Sequence, residues 1–315
     1  MSKKKKGVIA INLEYIAARF GISLIRSLPL SVAFSFTSTC CKIFFNLDAK
    51  HRKRSISHIL HAGITNDPKV ARKLAMDNFV HFGKVAVEFV KLDQFLSPET
   101  VKKHVKYNIT PEQKAALLDP KGTICASAHY GNWEITGLSL SLLFRPIVSI
   151  GRKFDNPKLS KYIFSKRHSF KQEIHTKEGA VKHLLKGLKQ KKIIGLLVDQ
   201  HAGGSAGIVT TFFGHPAKTH DSPGLLYLKT GAPVLLVVSR RLNNKFNFEL
   251  IVRGPFTIEK SGDKQKDLKA ITQNIVTSFE EIVKECPEQW LWSHRRWMDI
   301  NRKGWVPPDA QEKEV

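Results

Sequence analysis

The stretch Thr123-Ile-Cys-Ala-Ser-Ala-His129-Tyr-Gly-Asn-Trp-Glu134 sets the reading of this chain. Thr123–Ala128 is a short apolar run of strand length. Gly131 permits a sharp turn, and Trp133–Phe144 reads as a helix. A strand, a tight loop and a helix in direct succession are a unit of α/β layer architecture. On one regular helix, His129 and Glu134 would be separated by about 500° of rotation and point apart. With His129 in the loop and Glu134 in the first helical turn, the two side chains can meet. A carboxylate that holds an imidazole fixes its tautomer and stabilises the cation it becomes, which is a general-base arrangement. Open amides at the helix start favour negative charge developing nearby.

The same alternation continues outward. Pro146–Ile150 and Ile193–Val198 read as strands, the second as the clearest buried one, and Val209–Phe213 reads as another. Asn156–Phe170, Lys177–Gln190, Ser222–Thr230 and Lys266–Lys284 read as helices. Pro233–Ser239 and Phe246–Val252 read as an antiparallel hairpin at one sheet edge. Upstream, residues 51–93 are helical in period, and Thr110-Pro111 opens a short helix, with the threonine as cap and proline at the first position. The expected class is α/β, with a mixed, mostly parallel central sheet flanked by helices. The expected organisation is a basic tail and helical segment over 1–47, one α/β domain over 48–306, and a mobile tail over 307–315.

The chain has 315 residues, 51 Lys+Arg against 27 Asp+Glu, a net charge of +24 and 42% hydrophobic residues. A chain of this size buries roughly three quarters of its unfolded surface, which excludes disorder as the main state. The charge predicts an anionic partner: nucleic acid, an anionic membrane or an acidic protein. Residues 151–171 concentrate it, with Arg152, Lys153, Lys158, Lys161, Lys166, Arg167 and Lys171 against Asp155. Cys40, Cys41, Cys125 and Cys286 form neither a CxxC pair nor a zinc-spaced cluster, and Cys40 and Cys41 read as buried small hydrophobes. A reducing, cytoplasmic-side setting follows. No metal or nucleotide signature is present.

Four lysines at residues 3–6 precede an apolar stretch from about Gly7 to Leu47, interrupted by Glu14, Arg19, Arg26 and Lys42. Ile9, Leu13, Ile16, Ala17, Phe20 and Leu24 recur at helical steps, and Pro29 breaks the helix. An apolar face beside a lysine cluster is the pattern of an interfacial anchor, in which each lysine contributes about 1 kcal/mol at an anionic surface. The longest uncharged run, Ser27–Cys41, is 15 residues, short of the roughly 20 a spanning helix needs. A spanning helix over 27–47 is the alternative.

His129-Tyr-Gly-Asn-Trp-Glu134 resembles the H-x4-D/E motif of the lysophospholipid acyltransferase superfamily, and more closely the HxGNWE form of the bacterial lipid A biosynthesis acyltransferases. The resemblance extends to Ser27-Leu-Pro29-Leu, to Gly151-Arg152, Asn156-Pro157 and Arg167, and to Val198-Asp199-Gln200. It continues through Thr211-Phe-Phe-Gly214, Thr219, Gly231-Ala-Pro233-Val, Pro287-Glu-Gln-Trp290 and Trp292-Ser-His294-Arg-Arg-Trp297, covering most of residues 10–300. It implies a bacterial inner-membrane enzyme on the cytoplasmic face. Such an enzyme moves a lauroyl or myristoyl chain from an acyl carrier protein thioester to a hydroxyl of a lipid A precursor. A thioester is already activated, so no cofactor or metal is expected, and attack is expected to be direct, through a ternary complex without an acyl-enzyme. The resemblance makes His129 the base and Glu134 its partner. It makes Asn132, Arg152, Arg167 and Asp199 substrate-binding or site-ordering residues.

Other readings carry their own expectations. The acceptor could be a glycerophospholipid, an ornithine-type lipid or a mannosylated inositol lipid, with a coenzyme A donor. Gly203-Gly-Ser205-Ala-Gly207 matches G-x-S-x-G, the serine-hydrolase nucleophile elbow. That elbow needs an immediate helix, whereas Ile208–Phe213 reads as extended. A nucleic-acid-binding protein would account for the charge but not for the apolar amino terminus, and no recognition module is present.

Overall fold

The structure, a computed structural model, describes residues 7–203 and 206–297. The lysine tail, Gly204 with Ser205, and the segment 307–315 lie outside the described residues. The elements run in the order α1 (Val8–Ser27), α2 (Leu30–Leu47), α3 (Ala49–His61), α4 (Pro68–Phe95), α5 (Val101–His104), β1 (Val105–Tyr107), α6 (Pro111–Leu117), β2 (Thr123–Ser127), α7 (Trp133–Leu143), β3 (Ile147–Ile150) and α8 (Pro157–His168). There follow β4 (Gln172–His175), α9 (Ala180–Lys189), β5 (Ile193–Leu197), β6 (Ile208–Phe212), β7 (His215–Thr219), α10 (Ser222–Thr230), β8 (Val234–Arg241), β9 (Phe248–Phe256) and α11 (Lys264–Glu285).

Local chemistry explains several boundaries. Pro29 separates α1 from α2, since the residue before a proline is pushed out of the helical region. Pro68 occupies the first turn of α4, and the Asp67 side chain accepts from the Lys69 amide. At α6, Thr110 and Gln113 form a reciprocal capping box.

Among the described residues, seven strands form one sheet in the order β1-β9-β8-β2-β5-β3-β4. All its pairings are parallel except β8 with β9. Strands β6 and β7 form a separate antiparallel pair. Strand β2 is buried at every residue, as expected where helices cover both faces. Alternation sends Ile124 and Ala126 into a core with Ile275 and Phe279 of α11, and Cys125 into a second core with Ile135 and Leu138 of α7.

The mixed, mostly parallel sheet with flanking helices agrees with the sequence reading. Three details differ. The β8–β9 hairpin is not the edge, because β1 pairs outside β9. Strands β1, β4 and β7 were not expected. Cys40 is exposed and Cys41 only partly buried, since α2 buries one face alone. On that face a Cβ at Gly83 of α4 would collide with Cys41 Sγ, so the two helices pack closely there.

Helices α1 and α2 are both long and apolar enough to cross a membrane by length and composition. Val8, Ile9, Leu13, Ile16, Phe20 and Leu24 are exposed along α1, as are Val32, Phe36, Ile43, Phe44 and Leu47 along α2. The other side of α1 is tied to the body of the protein. Asn156 Nδ2 donates to the Ile11 carbonyl at 2.8 Å, and Arg26 donates to both oxygens of Asp93 at 2.5 and 3.0 Å.

Candidate active site

The site lies at the carboxyl ends of two neighbouring parallel strands, where ligands bind in open α/β sheets. Ser127 of β2 is in register with Leu197 of β5. His129 and Asp199 each stand two residues beyond those partners. Asp199 Oδ1 accepts from His129 Nδ1 at 2.9 Å, and its Oδ2 accepts from the His129 backbone amide and from Trp290 Nε1, both at 3.0 Å. Nδ1 thus carries the proton, leaving Nε2 as the basic nitrogen. Burial alone would raise the Asp199 pKa. The His129 ring, the bonds from His129 and Trp290, and nearby His294 override it and hold the carboxyl at about 2.

Gln200 and His294 complete the surroundings of the ring. Gln200 Nε2 lies 3.2 Å from both His129 ring nitrogens and donates to His294 Nε2 at 2.8 Å. The His294 ring is 5.1 Å from that of His129. Burial, with His129 facing it, lowers the His294 pKa to about 4, so His294 is neutral near pH 7. Trp133 stands 5.1 Å from His129, centroid to centroid.

The loop between His129 and α7 is clamped by neighbouring backbone. The Gly131 amide donates to the Gln289 carbonyl at 2.8 Å, the Asn132 amide to the Ser239 carbonyl at 3.1 Å, and the Leu291 amide to the His129 carbonyl at 3.1 Å. Gly131 has φ +55°, and a Cβ there would drive into the Ser239 carbonyl oxygen. Glycine is required on both counts.

The structure redistributes the expected site residues. Glu134 does not hold His129. Its Oε2 accepts from Arg167 Nε at 2.8 Å, and its Oε1 accepts from Arg167 Nη2 and, at 3.0 Å, from Trp133 Nε1. Helix α7 begins at Trp133 and turns Glu134 toward α8, which supplies Arg167. Asp199, expected to bind substrate or order the site, is the acid that meets the imidazole. Asn132 is fully buried, and its carboxamide is directed inward. Its Oδ1 accepts from the Glu134 and Ile135 amides, and its Nδ2 donates to Glu88. Arg152 is 77% exposed on the loop after β3, 3.6 Å from Asp155, and no contact among the described residues joins it to His129. Gln200, Trp290 and His294 carried no individual role in the sequence reading, although the blocks containing them were marked. Among the described residues, no group of three or more His, Cys, Asp or Glu side chains is placed to hold a metal ion.

A histidine whose Nδ1 is held by a buried carboxylate has the geometry to take a proton from a hydroxyl at Nε2, as in hydroxyl attack on an activated acyl group. Comparison with known proteins bears on that chemistry. The family described as "Bacterial lipid A biosynthesis acyltransferase" matches residues 3–299. A phosphatidylinositol mannoside acyltransferase of Mycobacterium tuberculosis (strain CDC 1551 / Oshkosh) is 23% identical over 188 residues, 58% of this chain and 57% of that protein. The protein of the same name from Mycolicibacterium smegmatis is 23% identical over 188 residues, 58% of this chain and 59% of that protein. The chain therefore matches less than two thirds of the length of these relatives.

Proposed function

The chain belongs to the bacterial lipid A biosynthesis acyltransferase family, and we propose that it is a membrane-associated O-acyltransferase. In this reading it moves a fatty acyl chain from an acyl carrier protein thioester to a hydroxyl of a lipid A precursor. The carrying observation is the pairing of His129 with buried Asp199 at adjacent strand ends. The acceptor hydroxyl gives its proton to His129 Nε2 as its oxygen attacks the thioester carbonyl. The tetrahedral adduct collapses, the C–S bond breaks, and the departing sulfur takes the proton back from the imidazolium. General-base help of this kind is typically worth about 10²–10⁴ in rate, and Asp199 stabilises the cation throughout.

The basic residues of α8 and the loop before it supply the charge that an acidic carrier protein or lipid phosphates would meet. The exposed apolar faces of α1 and α2 support attachment to a membrane. Because α1 is bonded to α8 near its start and to α4 near its end, we read it as lying along the membrane surface rather than crossing it. The proposed location is the cytoplasmic face of a bacterial inner membrane.

A second acceptor has specific support. The relatives named above are phosphatidylinositol mannoside acyltransferases, so a mannosylated inositol lipid, with a coenzyme A donor, is the alternative. Lipid mass spectrometry of a deletion strain tests both readings. A lipid A species lacking one acyl chain, restored by wild type but not by His129→Ala, supports the first. The same pattern in an inositol mannolipid supports the second, and an unchanged lipidome overturns both. Ser205→Ala restores the lipid on either reading. Its failure would favour a serine hydrolase.

A further inference from the structure

Behind the His129 loop lies a buried charged cluster that the acyl-transfer chemistry does not itself use. Helix α4 carries His81 and Glu88 seven residues apart, hence on one face. Arg241 ends β8. Glu88 is 0% exposed, His81 5% and Arg241 8%. Arg241 Nε donates to Glu88 Oε1 at 2.7 Å and Nη2 to Oε2 at 2.6 Å, a two-point ion pair. Its Nη1 donates to His81 Nδ1 at 2.7 Å. That contact sets the tautomer, so His81 Nε2 carries the hydrogen and donates to the Gly131 carbonyl at 2.9 Å. Burial, with Arg241 acting in the same direction, keeps His81 neutral. The Glu88 Oε2 that accepts from Arg241 also accepts from Asn132 Nδ2 at 2.8 Å.

The cluster therefore reaches Gly131 and Asn132, the two residues between the His129-Tyr130 pair and the helix that carries Glu134. Desolvating such a pair costs several kcal/mol per ion, and well-packed apolar side chains of similar volume often stabilise a fold as well or better. General core stability is a weak account of it. Accurate placement of one loop is a stronger one, because a shift of about 1 Å in a reacting group can cost 10²-fold in rate.

We propose that His81, Glu88 and Arg241 are positioning residues: they hold the Gly131–Asn132 turn and so set the direction in which His129 projects into the site and Glu134 meets Arg167. The inference rests on reading His129 as the base. Its test is chosen so that the two can fail separately. His81→Phe keeps the ring volume and removes both hydrogen bonds, while His81→Gln keeps an N–H near the position of Nε2. In purified full-length protein in detergent, His81→Phe lowers kcat by about 10–100-fold at constant KM. It also speeds hydrogen exchange at the Gly131 and Asn132 amides at least tenfold over the central strands and alters the NMR titration of the His129 ring. His81→Gln recovers most of kcat. Wild-type kcat in His81→Phe, exchange accelerated equally across the sheet, or no recovery in His81→Gln overturns the proposal. If His81→Phe does not fold, Glu88→Gln carries the same readouts with the same expected result, and local exchange and ring titration unchanged from wild type overturn it. Wild-type protein inactive on every acyl donor would defeat the functional reading, and exchange and ring titration would still judge the positioning role.

Discussion

Glu134 and Arg167 form a two-point ion pair that ties the start of α7 to the end of α8, with Trp133 Nε1 donating to the same carboxylate. Glu134 thereby shapes the surroundings of His129 through Trp133, whose ring lies 5.1 Å from the imidazole and is tilted by 58° to it, rather than by touching it. The acid of the motif and the acid that holds the imidazole are different residues.

Such a pair should behave as a unit. Glu134→Gln and Arg167→Met each remove one partner and leave the other in a largely buried setting. The single variants should each lower kcat/KM, and the double variant should lose no more than the worse single. Additive losses in the double-mutant cycle would show that the two side chains act separately.

Asp199→Asn tests which nitrogen is the base. An asparagine can turn an N–H toward Nδ1, which shifts the imidazole proton to Nε2 and blocks the basic position. The expected result is a fall in kcat of about 10²–10⁴ with little change in KM. Retention of more than a tenth of wild-type kcat would remove Asp199 from the mechanism.

Stability should fall on mild acidification. Burial holds the His58 pKa at about 4, against 6.5 for the free side chain, and His294 is likewise lowered to about 4. Between those values the unfolded chain binds protons that the folded chain refuses, so stability drops as pH falls from 6.5 toward 4. For His58, which is 7% exposed, the loss is roughly 3 kcal/mol at most. Asp199 acts lower: its contribution is present above 3.8 and disappears as pH falls through about 2. Urea midpoints measured from pH 7 to 4 check this. His58→Asn, which can keep the bond to the Trp292 carbonyl, should make the profile shallower, with His294 keeping part of the slope, and an already flat wild-type profile would contradict the assignment.

Membrane attachment should depend on the outer face of α1. Ile16→Glu with Phe20→Glu places charge where both side chains are exposed and should leave the body of the protein folded. Sedimentation with vesicles containing anionic lipid should fall severalfold, with the thermal midpoint unchanged. Wild-type sedimentation in that variant would shift the attachment elsewhere.

Much of the scaffold was readable because the buried strands are continuous apolar runs and their helices carry proper starts. Ile193–Leu197 and the first five residues of Val234–Arg241 are instances, and Thr110 caps α6 as its sequence suggests. The strands that escaped notice lack that signal. Strand β4 is Gln-Glu-Ile-His at an edge, β1 is three residues long, and β7 is His-Pro-Ala-Lys-Thr. In the site, His129 was legible from local order. The partnership with Asp199 spans 70 residues and leaves no local pattern, and neighbours in sequence pointed to Glu134 instead. His81 and Glu88 look like ordinary polar positions of a long helix until Arg241, 153 residues beyond Glu88, arrives beside them.

The matched offsets of His129 and Asp199 from Ser127 and Leu197 affect how the protein would lose competence under stress. Neighbouring strands keep a spacing of about 4.8 Å, so the reach from imidazole to carboxylate is inherited from the ladder between β2 and β5. Warming that frays α1 or loosens α8 would first strip away the membrane attachment and donor docking proposed for them. The proton-handling couple should persist until the central ladder itself melts.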